Sequence, residues 1–126
     1  MKWMSVPLLA LAVCLPLAAK ADGNQLLSDC QQALNGSEGR NVSSPLVAGR
    51  CMGVIQGTID GLAVSRQIFT NIPELICMPQ GGLPMGQMVR VVTKHLTDNP
   101  ADLSHNESLL IAKAMVKAFP CDHSKK

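Results

Sequence analysis

The chain has 126 residues, 47% of them hydrophobic but only 2% aromatic, and a formal charge of +2. That length suits one domain. The near absence of aromatic side chains removes stacking platforms for bases or sugars, and the small charge gives no basic nucleic-acid surface.

Residues 1–21 read as a secretory signal. Lys2 supplies the positive start, Val6 to Ala19 is an almost unbroken apolar run, and Ala19-Lys20-Ala21 fits a small-x-small cleavage site. The apolar run is short for a membrane span, so no membrane association is expected once it is removed. Val13, bulkier than the small residue usual ahead of a lipidated cysteine, argues against modification of Cys14. Cleavage after Ala21 leaves residues 22–126 as a single domain with nine basic and nine acidic residues, formally neutral.

Four cysteines remain in the exported part: Cys30, Cys51, Cys77 and Cys121. An even number in a short exported chain predicts two disulfides, with three possible pairings. The favoured pairing is Cys30 with Cys51 and Cys77 with Cys121. The first ties two sequential helices across a polar loop, and the second clips a central loop to the C-terminal end. No CxxC pair and no HExxH occurs, so neither a metal nor any other cofactor is expected.

Helical periodicity organises the rest into an all-α domain of about four helices. Leu26, Leu27, Cys30, Ala33 and Leu34 give an apolar stripe to a first helix over 24–35. Residues 36–44 are rich in turn formers and read as a loop. Ser44 as N-cap and Pro45 at the first position open a long central helix over 45–68. In it Gly49, Gly53, Gly57 and Gly61 recur every fourth residue, so they share one face. Each costs about 1 kcal/mol relative to alanine in a helix interior, which predicts compensation by close approach of another helix. Asp60 lies beside this face and reads as a solvated residue or a partner contact.

Three prolines and Gly81-Gly82 keep residues 72–84 out of regular structure, and Cys77 is expected to pin them. A third helix over 85–96 turns Met85, Met88, Val89, Val92 and Leu96 inward, with Gln87, Arg90, Lys94 and His95 outward. Ser104-His-Asn-Glu107 has the form of a capping box ahead of a fourth helix, which Pro120 stops. No set of acid, base and nucleophile can be assembled from these residues, so no catalytic residue is assigned and an enzyme is not expected.

Taken together, several motifs resemble the Rap/Tai domain of type VI secretion immunity proteins. They are Cys51-x-Gly53-x-Ile55-x-Gly57-x-x-Asp60, Ile76-Cys77-x-Pro79, Gln87-x-x-x-Val91-Val92-x-x-x-Leu96 with Pro100, and Ala114 with Ala118-Phe119-Pro120-Cys121. The resemblance spans about residues 24–121. Val54 stands where that family often has an aromatic, and Leu83-Pro84 where a Ser or Thr cap is usual. It implies a small helical, disulfide-linked periplasmic domain, often dimeric, that inhibits a secreted cell-wall amidase. The alternative of the same helical class is a small periplasmic stress or chaperone-like binding protein. For an inhibitor, the segment expected to enter a partner's cleft is 78–84, with Met78, Gln80, Gly81, Gly82 and Leu83 as contacts. Pro79 and Pro84 stiffen it, whereas the polar loop 36–44 has no evident anchor.

Overall fold

A computed structural model describes residues 21–122. The expected signal at 1–21 lies, apart from Ala21, outside the described residues, as does the end of the tail. Four helices follow in order: α1 (Gly23–Ser37), α2 (Pro45–Ile68), α3 (Met85–Asp98) and α4 (Glu107–Ala118), with one 3₁₀ turn at Pro100–Asp102. The domain is all-α, as its periodicity predicts, and two disulfides link it, Cys30–Cys51 and Cys77–Cys121.

α1 lies chiefly on α2 and α3, and α4 on α3 and α2. The core between them contains Leu26 and Cys30 from α1, Cys51 and Ile55 from α2, Val89, Val92 and Leu96 from α3, and Leu110, Ile111 and Met115 from α4. The Cys30–Cys51 bridge sits inside this core, with neither cysteine exposed.

Local chemistry fixes the helix ends. Asp22 caps α1, its Oδ1 accepting from the amides of Asn24 and Gln25 at 3.0 and 3.3 Å. Ser44 caps α2 through Val47 N–H, with Pro45 in the first turn. α4 departs from the capping box expected at Ser104–Glu107. Its cap is Asn106, whose Oδ1 accepts from Ser108 N–H at 2.9 Å. Glu107 is turned instead into an ion pair with Arg50 at 2.7 Å, so its carboxylate does not reach back to the cap.

Gly23 permits the closest approach involving a glycine. A Cβ there would lie 2.4 Å from Leu110 Cδ1 and 2.9 Å from the Leu103 backbone. The start of α1 is held against the connection before α4 by Gly23 N–H donating to His105 C=O at 3.1 Å.

Candidate functional site

α2 has two unlike halves. Its fully buried residues are Ala48, Cys51 and Ile55, all in the first three turns. The helix is about 36 Å long at 1.5 Å per residue, against about 22 Å for α1, so its C-terminal half runs on beyond the core. Val64, Ile68 and Phe69 at that end are 50%, 65% and 59% exposed.

The glycine face also differs from expectation. Among the described residues, apart from each glycine's chain neighbours and α2's own backbone, no atom lies within 4 Å of a Cβ built on Gly49, Gly53, Gly57 or Gly61. None of the described helices covers them as expected. The reason is angular: Gly53 is two residues from both Cys51 and Ile55, about 200° around the helix. Burying the cysteine stripe therefore turns the glycines to solvent. Asp60 is exposed as well, its Oδ1 accepting from Gln56 Nε2 at 2.8 Å along the same helix.

Beside the overhanging half of α2 lies an apolar groove of about 440 Å³. Ile59 and Leu62 line it from the helix, and Ile72, Leu75, Ile76 and Met78 from the segment that follows. That segment is held in three ways. Arg66 pairs with Glu74 at 2.7 Å. Cys77 N–H donates to Phe119 C=O at 2.9 Å, beside a bridge pairing Ile76 with Pro120. Cys77 is also bonded to Cys121.

Residues 78–84 continue from the groove as a tight turn. Gly82 N–H donates to Pro79 C=O at 3.0 Å. Gly81 and Gly82 have φ of 89° and 77°, a region that glycine enters without steric penalty. Gln80 and the two glycines are exposed, while Met78 and Leu83 are half-buried against the core. The competing loop is better held than its sequence suggests. The amide and hydroxyl of Ser43 both donate to Gln32 Oε1, at 3.1 and 2.9 Å, and Arg40 N–H donates to Asn35 C=O at 2.8 Å.

Two polar features have no local sequence signal. Arg50 on α2 bonds both Asp29 on α1 and Glu107 on α4. Its guanidinium is held above its ordinary pKa by the hydrogen bond to Asp29, then by that to Glu107. His95, expected to face outward, is half-buried, and its Nε2 is enclosed without a hydrogen-bond partner among the described residues. Burial pushes the imidazole below its ordinary pKa, and Lys117 adds to the effect.

Among the described residues, one trio, Glu74, Cys77 and Cys121, brings possible metal-ligand atoms within 4.8 Å of one another. Both sulfurs are committed to the disulfide, leaving a single carboxylate. No helix among the described residues is long and apolar enough to cross a membrane.

No curated protein and no solved structure matches the chain. The family model of the Rap1a immunity proteins does match it, over residues 22–121. That span takes in all four helices, both disulfides and the groove, and the chain accordingly belongs to the Rap1a immunity protein family.

Proposed function

We propose that this protein is a periplasmic immunity protein that binds and inhibits a peptidoglycan amidase delivered by a type VI secretion system. The observation that carries the reading is the family match across residues 22–121. Two disulfides are consistent with export to an oxidising compartment. Inhibition in this reading is by occlusion, which asks of the chain a stable surface and no chemistry of its own.

The inhibitory contact proposed is the turn at 78–84. Gln80 and the Gly81-Gly82 tip are its exposed part, and Met78 and Leu83 hold it to the core. A turn already ordered before binding loses less entropy on docking. The open glycine face of α2 is proposed as the contact between two copies, since a two-fold axis would set the same bare face against itself.

The test is capture with the tagged mature chain from the periplasm of cells under type VI attack. The expected result is an amidase whose peptidoglycan hydrolysis is abolished by an equimolar amount of the chain. Captured hydrolase that stays fully active overturns the inhibitory reading. With the amidase in hand, Gln80→Ala should weaken binding about tenfold or more, the scale of an interface hot spot. Unchanged affinity in Gln80→Ala and Leu83→Ala, together with loss of binding on shortening 36–44, would move the contact to the other loop.

A further inference from the structure

The two disulfides occupy opposite environments. Cys30 and Cys51 have no exposure, and their bridge is packed among core side chains. Cys77 is exposed and Cys121 half-buried. Thiol–disulfide exchange needs access for an attacking thiolate, so the second bridge meets reductants first. Its position gives that difference a consequence. Cys77 stands between Ile76 and Met78, both of which line the apolar groove. Cys121 directly follows the Phe119–Pro120 stretch to which the groove wall is hydrogen-bonded.

We propose that the Cys77–Cys121 bridge is a reducible latch, whose opening by an external dithiol releases the groove wall at 72–78 while the helical core stays folded. A thiolate of the dithiol attacks Sγ of the exposed Cys77, and Cys121 leaves as a thiolate. The second thiol of the reductant then attacks the mixed disulfide and frees Cys77. In balance, the dithiol is oxidised to a disulfide, and two electrons and two protons pass to Cys77 and Cys121.

What remains afterwards is weak. Two backbone hydrogen bonds, Ile72 N–H to Phe69 C=O and Cys77 N–H to Phe119 C=O, the Ile76–Pro120 pairing, the half-buried Ile76 and Met78, and the Arg66–Glu74 pair hold the wall, and that ion pair is exposed on both sides. Exposed pairs contribute about 0–1 kcal/mol. The core loses only the partial cover of Ile76 and Met78, because among the described residues the buried ones all lie in the four helices and their own bridge is enclosed. Local opening of a segment with few buried contacts, short of global unfolding, is the ordinary behaviour of such a segment. The latch holds for any occupant of the groove.

The experiment exposes the mature chain to dithiothreitol in graded amounts, traps thiols with iodoacetamide and maps the labelled peptides. Cys77 and Cys121 should be labelled at least tenfold faster than Cys30 and Cys51. At the stage where only that pair is open, amide exchange should rise across 72–78 and stay unchanged in α1, α3 and α4. A Cys77→Ser, Cys121→Ser variant should show the same exchange pattern without reductant and keep its helical circular dichroism. Simultaneous opening of both bridges, unchanged exchange at 72–78 after selective opening, or a double variant that fails to fold would each overturn the latch.

Discussion

The guanidinium of Arg50 on α2 is bonded to Asp29 on α1, a carboxylate with no solvent exposure. Gln25 Nε2 donates to the other oxygen of Asp29 at 2.7 Å, and the second arm of Arg50 takes Glu107. One cation thus joins α1, α2 and α4. Removing it strands a buried charge. Arg50→Met should cost about 3–5 kcal/mol, the usual loss on breaking a buried pair. Adding Asp29→Asn should recover part of that, since an amide no longer requires a cation. Urea denaturation of the two variants measures both, and an Arg50→Met loss under about 1 kcal/mol would refute the buried-pair account.

Two glycines should respond in opposite senses to the same substitution. Gly23→Ala drives a methyl group into Leu110 and the Leu103 backbone, and should destabilise by about 1–3 kcal/mol through overpacking. Gly57→Ala meets open space among the described residues and should stabilise the isolated protein by up to about 1 kcal/mol through helix propensity. Thermal melts under conditions that keep the protein monomeric make the comparison. Gly57→Leu should likewise fold, and should block self-association if two copies meet at that face.

His95 makes a prediction in pH. Its pKa is depressed from 6.5 by burial and by Lys117, with Lys113 acting the same way and Asp102 and Asp98 opposing. Lys94, the other charged group at this site, is paired with Asp98 at 2.8 Å. A histidine depressed on folding binds fewer protons folded than unfolded. The stability linked to its neutral form is therefore complete above the unfolded value and is lost as pH falls through it towards the folded value. Stability should decline below about pH 6.5, and the decline should be shallower in His95→Gln. An NMR titration placing the His95 midpoint at or above 6.5 would remove the basis for this.

Much of the fold was legible because its signals are local. Ser44-Pro45 announces the start of α2, and the stripe from Met88 to Leu96 gives α3 its inward face. The cysteine pairing followed from an even count and the order of the helices. Spacing failed where angle or distance decided. A four-residue glycine period shows that those residues share a face, but only the burial of Cys51 and Ile55 shows that it is the outer one. The close glycine contact is at Gly23, a lone residue without any period. Arg50 lies 21 residues from Asp29 and 57 from Glu107, so no window of sequence joins them. At α4, Ser104 and Asn106 are both competent caps, and the structure uses Asn106, with Glu107 paired to Arg50. The groove was not legible at all, because its walls come from the overhang of α2 and a segment without periodicity.

The overhang of α2 has a consequence for how such a protein can change over generations. Beyond Ile55 no residue of that helix is fully buried, and the segment to Pro84 adds none. Outside Cys77, the positive-φ Gly81 and Gly82, and the half-buried Ile59, Ile76, Met78 and Leu83, substitutions from 56 to 84 therefore alter the shape and chemistry of the surface with little penalty in folding. Fit to a new counterpart is separated in space from the residues that keep the chain folded, so recognition can drift quickly on a scaffold that does not.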